Sequence, residues 1–229
     1  MPEQPISTLS LRHVLPPAGA DTWVEVRPFV DGRDLVEEFH PDGLGLFRQE
    51  WDGPATEWPL TATRDSALVI VGQPDCYPGC CGALFVDIRR AGDRVIWSSW
   101  ENTSDTRAAL PDDFRFDAAQ YDAELARAAA DLTWEEPMDT VARLLEKTLV
   151  DSGWFERWGC VLERVESSRE EPCDVEVQFT EERGLGEHPS LFSYQLPVTE
   201  TEPAEDQARR FAAAILAEEP RRTAQRWAD

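Results

Sequence analysis

Lysine is nearly absent from this chain. Of 22 basic residues only Lys147 is a lysine, and three histidines complete the set of nitrogen bases. A nuclease centre of the carboxylate–carboxylate–lysine kind therefore has a single lysine to draw on. Lys147 follows Glu146 in a stretch of amphipathic helical spacing, where a solvated, ion-paired face is its ordinary role. General-base chemistry has as few openings, because His13, His40 and His188 each lie near a proline or a turn and none adjoins a recognisable nucleophile. Long apolar runs are missing too. No window approaches the roughly 18 consecutive apolar residues of a membrane-spanning helix. The opening MPEQPISTLSLRHV sets an acid and prolines where a secretory leader needs positive charge and an apolar run, so a cytoplasmic location is expected. The P-loop, the dinucleotide fingerprint, the nucleophile elbow and H-E-x-x-H are all absent, and Gly43-Leu44-Gly45 reads as a turn.

Acidic side chains fill the space that lysine leaves. The 229 residues carry 45 acids and a formal net charge of -23 at pH 7. Residues 111–208 concentrate the effect, with 25 acidic and 8 basic side chains. Such a charge repels phosphate backbones and anionic lipid, so neither direct nucleic-acid binding nor membrane attachment is expected, and a basic protein is the natural complement. The chain is 41% hydrophobic with nine tryptophans, the composition of a globular protein rather than an acidic tail. Twenty-one arginines against one lysine, with abundant alanine and proline, fit the codon usage of a high-GC bacterial genome. Five cysteines, an odd number in a chain too large to need staples, are expected to be reduced thiols.

The hydrophobic pattern predicts an α+β fold: mainly antiparallel strands in the N-terminal half, two central helices, then an antiparallel three-strand sheet with a C-terminal helix. TWVEVRPFV, the Asp31-Gly32 turn and RDLVEEF read as a hairpin, ALVIVG as a buried strand, and GALFVDIRRAGDRVIWSSW as a second hairpin with Ala91-Gly92-Asp93 at its tip. Asp117, with Gln120 three residues on, has capping-box spacing for a helix whose face is Tyr121, Leu125, Ala128 and Leu132. PMDTVARLLEKTLV predicts a second helix, ending at Gly153. Strict alternation in CDVEVQF and LFSYQL gives two half-exposed strands after WGCVLERV, and Pro203 opens the last helix. With no Gly/Ser/Pro linker, residues 1–229 are expected to form a single α+β body, a division at 132/133 being the alternative.

Three features bear on chemistry. Cys76, Cys80 and Cys81 sit within six positions and are a candidate zinc set, whose fourth ligand would come from Cys160, Cys173 or a histidine. No second close pair exists and the stretch runs from a Pro-Gly turn into a strand, so burial of packed thiols is the favoured reading, and no cofactor is expected. Carboxylate pairs recur throughout, and abundance removes their specificity. Asp174 and Glu176 share a strand face with Gln178, which reads as a solvated surface. Finally, strand alternation sets Trp97 and Trp100 on opposite faces. An exposed tryptophan beside Glu101 would be a hot spot for a basic partner.

The run ALVIVGQPDCYPGCCGALFVDIRRAGDRVIWSSWENTSDTR, followed by FRFDAAQYDAELARA, resembles an uncharacterised family of acidic cytoplasmic proteins from high-GC bacteria. A Cys/Gly turn, a V-x-W strand and an F-x-F-D-x-x-Q-Y helix start carry the likeness. The resemblance covers a third to a half of the chain and implies no activity. The expectation from the sequence is a non-enzymatic acidic protein that binds a basic partner, in its most concrete form an immunity or antitoxin-like protein that neutralises a toxin. A zinc-dependent regulator or enzyme using the cysteine turn is the alternative, and a DNA-mimic inhibitor or an accessory subunit is a further one.

Overall fold

A computed structural model describes residues 5–17, 23–41, 43–48, 51, 55–74, 81–170, 172–181 and 190–227. The fold is α+β, with six helices and twelve strands in three antiparallel sheets among the described residues. None of those helices is long and apolar enough to cross a membrane. The chain divides into two compact units, one of Met1–Pro16 and Trp23–Trp134 and the other centred on Glu135–Asp229, close to the division at 132/133 considered above.

The first unit holds two sheets. In one, β1 (Leu9–Val14) pairs with β2 (Glu25–Val30), which in turn pairs with the two-residue strands β3 (Arg33–Asp34) and β4 (Leu46–Phe47). The other runs β5 (Ala67–Gly72), β6 (Leu84–Ala91), β7 (Arg94–Asn102) and β8 (Phe114–Asp117) in order. Single bridges join them at both edges, Leu44 beside Gln73 and Ser7 beside Phe116, so the strands close into a ring. Leu9, Leu84, Ile88, Trp97, Phe116 and Tyr121 are fully buried inside it.

Two local expectations change. Asp31 and Gly32 both have positive φ, 51° and 83°, the primed turn that closes a hairpin. The returning strand is only two residues long, however, because Asp34 Oδ1 accepts from the Val36 and Glu37 amides and caps a helix, α1 (Leu35–Phe39). Helix α2 (Ala118–Ala130) starts as predicted, Asp117 accepting from Ala119 and Gln120 N at 3.0 and 3.1 Å. Gln120 does not complete a capping box. Its amide turns to β1 instead, donating to Leu9 O (2.8 Å) and accepting from Leu9 N (3.4 Å). One and two turns later Glu124 takes the Leu11 amide at 2.6 Å and Arg127 the Leu11 carbonyl at 2.6 Å. Three side chains on one helical face thus occupy main-chain positions that a neighbouring strand would fill.

The second unit is one sheet under two helices. Helix α3 (Pro137–Ser152) has proline in its first turn and Asp139 accepting from the Glu136 amide at 3.0 Å, and it ends at Gly153 in the left-handed conformation. After the short helix α4 (Trp154–Arg157) come β9 (Cys160–Ser168), β10 (Asp174–Glu181) and β11 (Leu191–Pro197). Helix α5 (Ala204–Leu216) follows, then α6 (Pro220–Thr223) and the two-residue β12 (Gln225–Arg226), which adds a fourth strand beyond β11. Val175, Val177 and Phe179 point to the helices and pack with Leu145, Leu149, Phe211 and Ile215. Burying a side chain of this size stabilises by about 1.5–3 kcal/mol.

Candidate functional site

The structure places neither Trp97 nor Trp100 at the surface. Trp97 and Trp100 are 0% and 8% exposed, and both rings lie in the core with centroids 5.9 Å apart. Strand parity fails because β7 carries a bulge: Phe85 pairs with Glu101 and Asp87 with Ser98, so an extra residue opposes Val86. Ser99 takes up the insertion with φ 55°, and the strand resumes on the same face it left. Trp97 Nε1 donates to Tyr121 Oη (3.1 Å), which donates to the Leu60 carbonyl (2.6 Å). Burial pushes the Tyr121 phenol far above its ordinary value. Glu101 is exposed, but no exposed tryptophan stands beside it on this strand.

Cys76 and Cys80 lie outside the described residues. Cys81 is exposed and disulfide-bonded, so the expectation of a packed, reduced sulfur fails there. Neither Cys160 nor Cys173 is in a disulfide. A sulfur in a disulfide is not a thiolate and offers zinc no ligand in that state. Cys160 is buried in the second unit's core at the start of β9, and desolvation raises its thiol pKa. No cluster of three or more His, Cys, Asp or Glu with metal-binding geometry occurs among the described residues.

His188 also lies outside them. His40 packs against glycine: a Cβ on Gly43 would sit 1.8 Å from its ring, and its Nδ1 is 3.3 Å from Ser104 Oγ. His13 borders a cavity of about 530 Å³ together with Arg12, Glu124, Arg127, Asp131 and Trp134. Its ring stands 3.7 Å from Asp131 and 5.8 Å from the Trp134 ring centroid. Burial, and then the Arg48 charge, lower the His13 pKa, with Asp131 opposing and Arg127 adding to the effect. The imidazole is therefore neutral near pH 7. Arg127 is bonded to Glu124, Asp131 and the Leu11 carbonyl, which braces this part of the cavity wall.

The arrangement sequence reasoning passed over is on the second unit's sheet, on the face turned from the helices. Glu166 of β9 lies directly opposite Glu176 of β10, and Asp174 is two residues along on the same face. Like charges directly opposite destabilise a sheet. Arg164 bonds Glu166 at 2.8 Å, and Gln178 bridges Arg164 and Glu176 at 3.0 and 2.8 Å. One guanidinium thus bonds Glu166 directly and reaches Glu176 through Gln178. Desolvation first, with the Glu176 charge adding, raises the pKa of both Glu166 and Asp174. Across β11, Ser193 accepts from Trp227 Nε1 at 2.9 Å, which sets the indole on this same face with 49% of its surface exposed. The signal for this site was present as the alternation Asp174, Glu176, Gln178, but the indole on the same face follows a two-residue strand with no periodicity to read.

No family model matches this chain, no curated protein matches it, and no solved structure matches it.

Proposed function

We propose that this chain is an acidic binding protein that captures a basic protein, with immunity-type neutralisation of a toxin as its most concrete form. The observation that carries the reading is the sheet face that sets Glu166 opposite Glu176, with Asp174 further along β10 and Trp227 exposed against Ser193 of β11 on the same face. Opposed carboxylates with a single arginine between them cost stability in the isolated protein, and a cation from a partner relieves that cost. An exposed indole supplies the apolar anchor that charge alone lacks. The net charge of -23 acts over a longer range, steering a basic partner to this surface and fading as salt screens it.

The test is affinity capture from the native host at low and moderate salt, with wild-type protein and the triple variant Asp174→Asn, Glu166→Gln, Glu176→Gln. Capture of a basic protein by the wild type and its loss from the variant support the reading. Recovery of no basic protein, or equal recovery by both, overturns it.

A further inference from the structure

We infer that the free edge of β9 is a docking strand, to which the basic partner adds an extended segment of its own as a further strand. The inference rests on the basic-partner reading above and supplies its mode of contact.

The chain covers or shortens its other sheet edges. An open edge presents unpaired N–H and C=O groups, and proteins block such edges or shorten them. Here β1 is blocked by Gln120, Glu124 and Arg127, which take the Leu9 and Leu11 main-chain groups. The edges of the β5–β8 sheet are joined to the first sheet by the bridges at Gln73 and Phe116. At the far side of the second unit's sheet, β12 is two residues long. Strand β9 is different. It spans nine residues, Cys160–Ser168, stands last in its sheet, and bonds only β10. Among the described residues no side chain or main-chain group takes the place of a strand on its outer side.

The chemistry of the edge selects its occupant. Two β9 residues, Glu163 and Arg164, oppose the single Gln178 where the register shifts, and both are exposed. Thr180 bonds Glu163, so that carboxylate is held on the face that also carries Glu166. An incoming strand would therefore meet Glu163 and Glu166 from β9, with Glu176 one strand behind, against one arginine. A lysine opposite Glu166 forms a favourable cross-strand pair, whereas an acid there repeats the repulsion already present. The edge thus favours basic segments and disfavours a second copy of this chain. Strand addition of this kind draws affinity from main-chain hydrogen bonds and specificity from alternate side chains.

The experiment uses the full chain and a nine-residue capped peptide that alternates lysine and valine. A second peptide of the same sequence is N-methylated at alternate residues, which removes donors from one edge but keeps the charge. The expected result is binding of the first peptide with amide-exchange protection gained within Cys160–Ser168, and at least about tenfold weaker binding of the methylated one. Equal binding of the two peptides overturns strand addition while leaving electrostatic capture of a basic partner standing. Binding of neither at low salt, or protection gained elsewhere, also overturns the proposal. So does a concentration-dependent dimer whose protection maps to β9, because the edge would then belong to a second copy. The capture experiment with the carboxylate variant fails or succeeds independently of these outcomes.

Discussion

Removing one oxygen from the centre of the first unit isolates what its buried polar link contributes. In Tyr121→Phe the ring remains, with its centroid 5.5 Å from that of Phe116, so no cavity larger than a hydroxyl opens. Two buried groups lose their partner at once: the Leu60 carbonyl, bonded at 2.6 Å, and Trp97 Nε1, bonded at 3.1 Å. A buried polar group left unsatisfied costs about 1–3 kcal/mol. Burying the hydroxyl is itself unfavourable, which offsets about 1 kcal/mol of the combined loss. The expected destabilisation is about 1–5 kcal/mol. Tyr194→Phe is the internal comparison, because that hydroxyl is only partly buried between Pro220 O and Thr223 Oγ1 at 3.0 and 2.9 Å. Its loss should cost about 0.5–1.5 kcal/mol. Urea unfolding followed by tryptophan fluorescence and far-UV circular dichroism measures both. If Tyr121→Phe unfolds within about 0.5 kcal/mol of wild type, the reasoning about unsatisfied groups at this site is wrong. The same burial has a pH signature. The folded-state phenol pKa lies above its unfolded value of 10.0, so the contribution is complete below that pH and is lost as alkaline pH ionises the unfolded chain first.

The bulge gives a second check: Ser99→Gly should leave stability unchanged or raise it by up to about 1 kcal/mol, and Ser99→Val should lower it by about 2 kcal/mol, because φ 55° suits glycine and opposes a β-branched residue. Thermal unfolding of the pair decides, and equal midpoints would remove the bulge from the explanation. At the acidic face, Glu166→Gln should stabilise the free protein by on the order of 0.5 kcal/mol at pH 7. Because the folded-state pKa values of Glu166 and Asp174 are raised, their unfavourable contribution should also fade as pH drops into the carboxylate range, and loss of stability in the variant at pH 7 would contradict this. His13 acts in the opposite sense. Its pKa is lowered on folding, so its contribution is present above the ordinary value of 6.5 and is lost as pH falls below it; an imidazole titrating at or above that value by NMR would refute the assignment. Finally, Glu124→Ala leaves the Leu11 amide without its 2.6 Å partner and should cost about 1–2 kcal/mol, read by faster amide exchange at Leu11.

Regular elements were legible where period and cap agreed. Asp117 and the spacing of Tyr121, Leu125 and Ala128 define α2, and the alternation in β10 and β11 defines their inner faces, because burial on one side imposes those periods. The failures share a cause. Parity across Trp97 and Trp100 is reset by the backbone at Ser99, and a serine carries no sequence mark of a left-handed residue. Gln120 satisfies the spacing of a capping box but spends its amide on a strand 111 positions away, and such a choice depends on tertiary neighbours. LVEEF is too short for periodicity to separate helix from strand, and the Asp34 cap decided it. The acidic face looked like any solvated strand surface until the register set Glu166 against Glu176 and Trp227 was placed on the same face against Ser193.

The three α2 side chains that occupy the edge of β1 have a consequence for synthesis. Their bonds to Leu9 and Leu11 span 111, 113 and 116 positions, so β1 is made well before the helix that covers its edge. At roughly 5–20 residues per second, a ribosome leaves that edge unblocked for about 6–20 s after β1 emerges. Contacts of such separation also slow folding after release. Variants at Gln120, Glu124 and Arg127 should therefore lower the yield of folded protein in cells more than their stabilities in vitro would suggest, because they lengthen the period in which a nascent strand is open to the wrong neighbour.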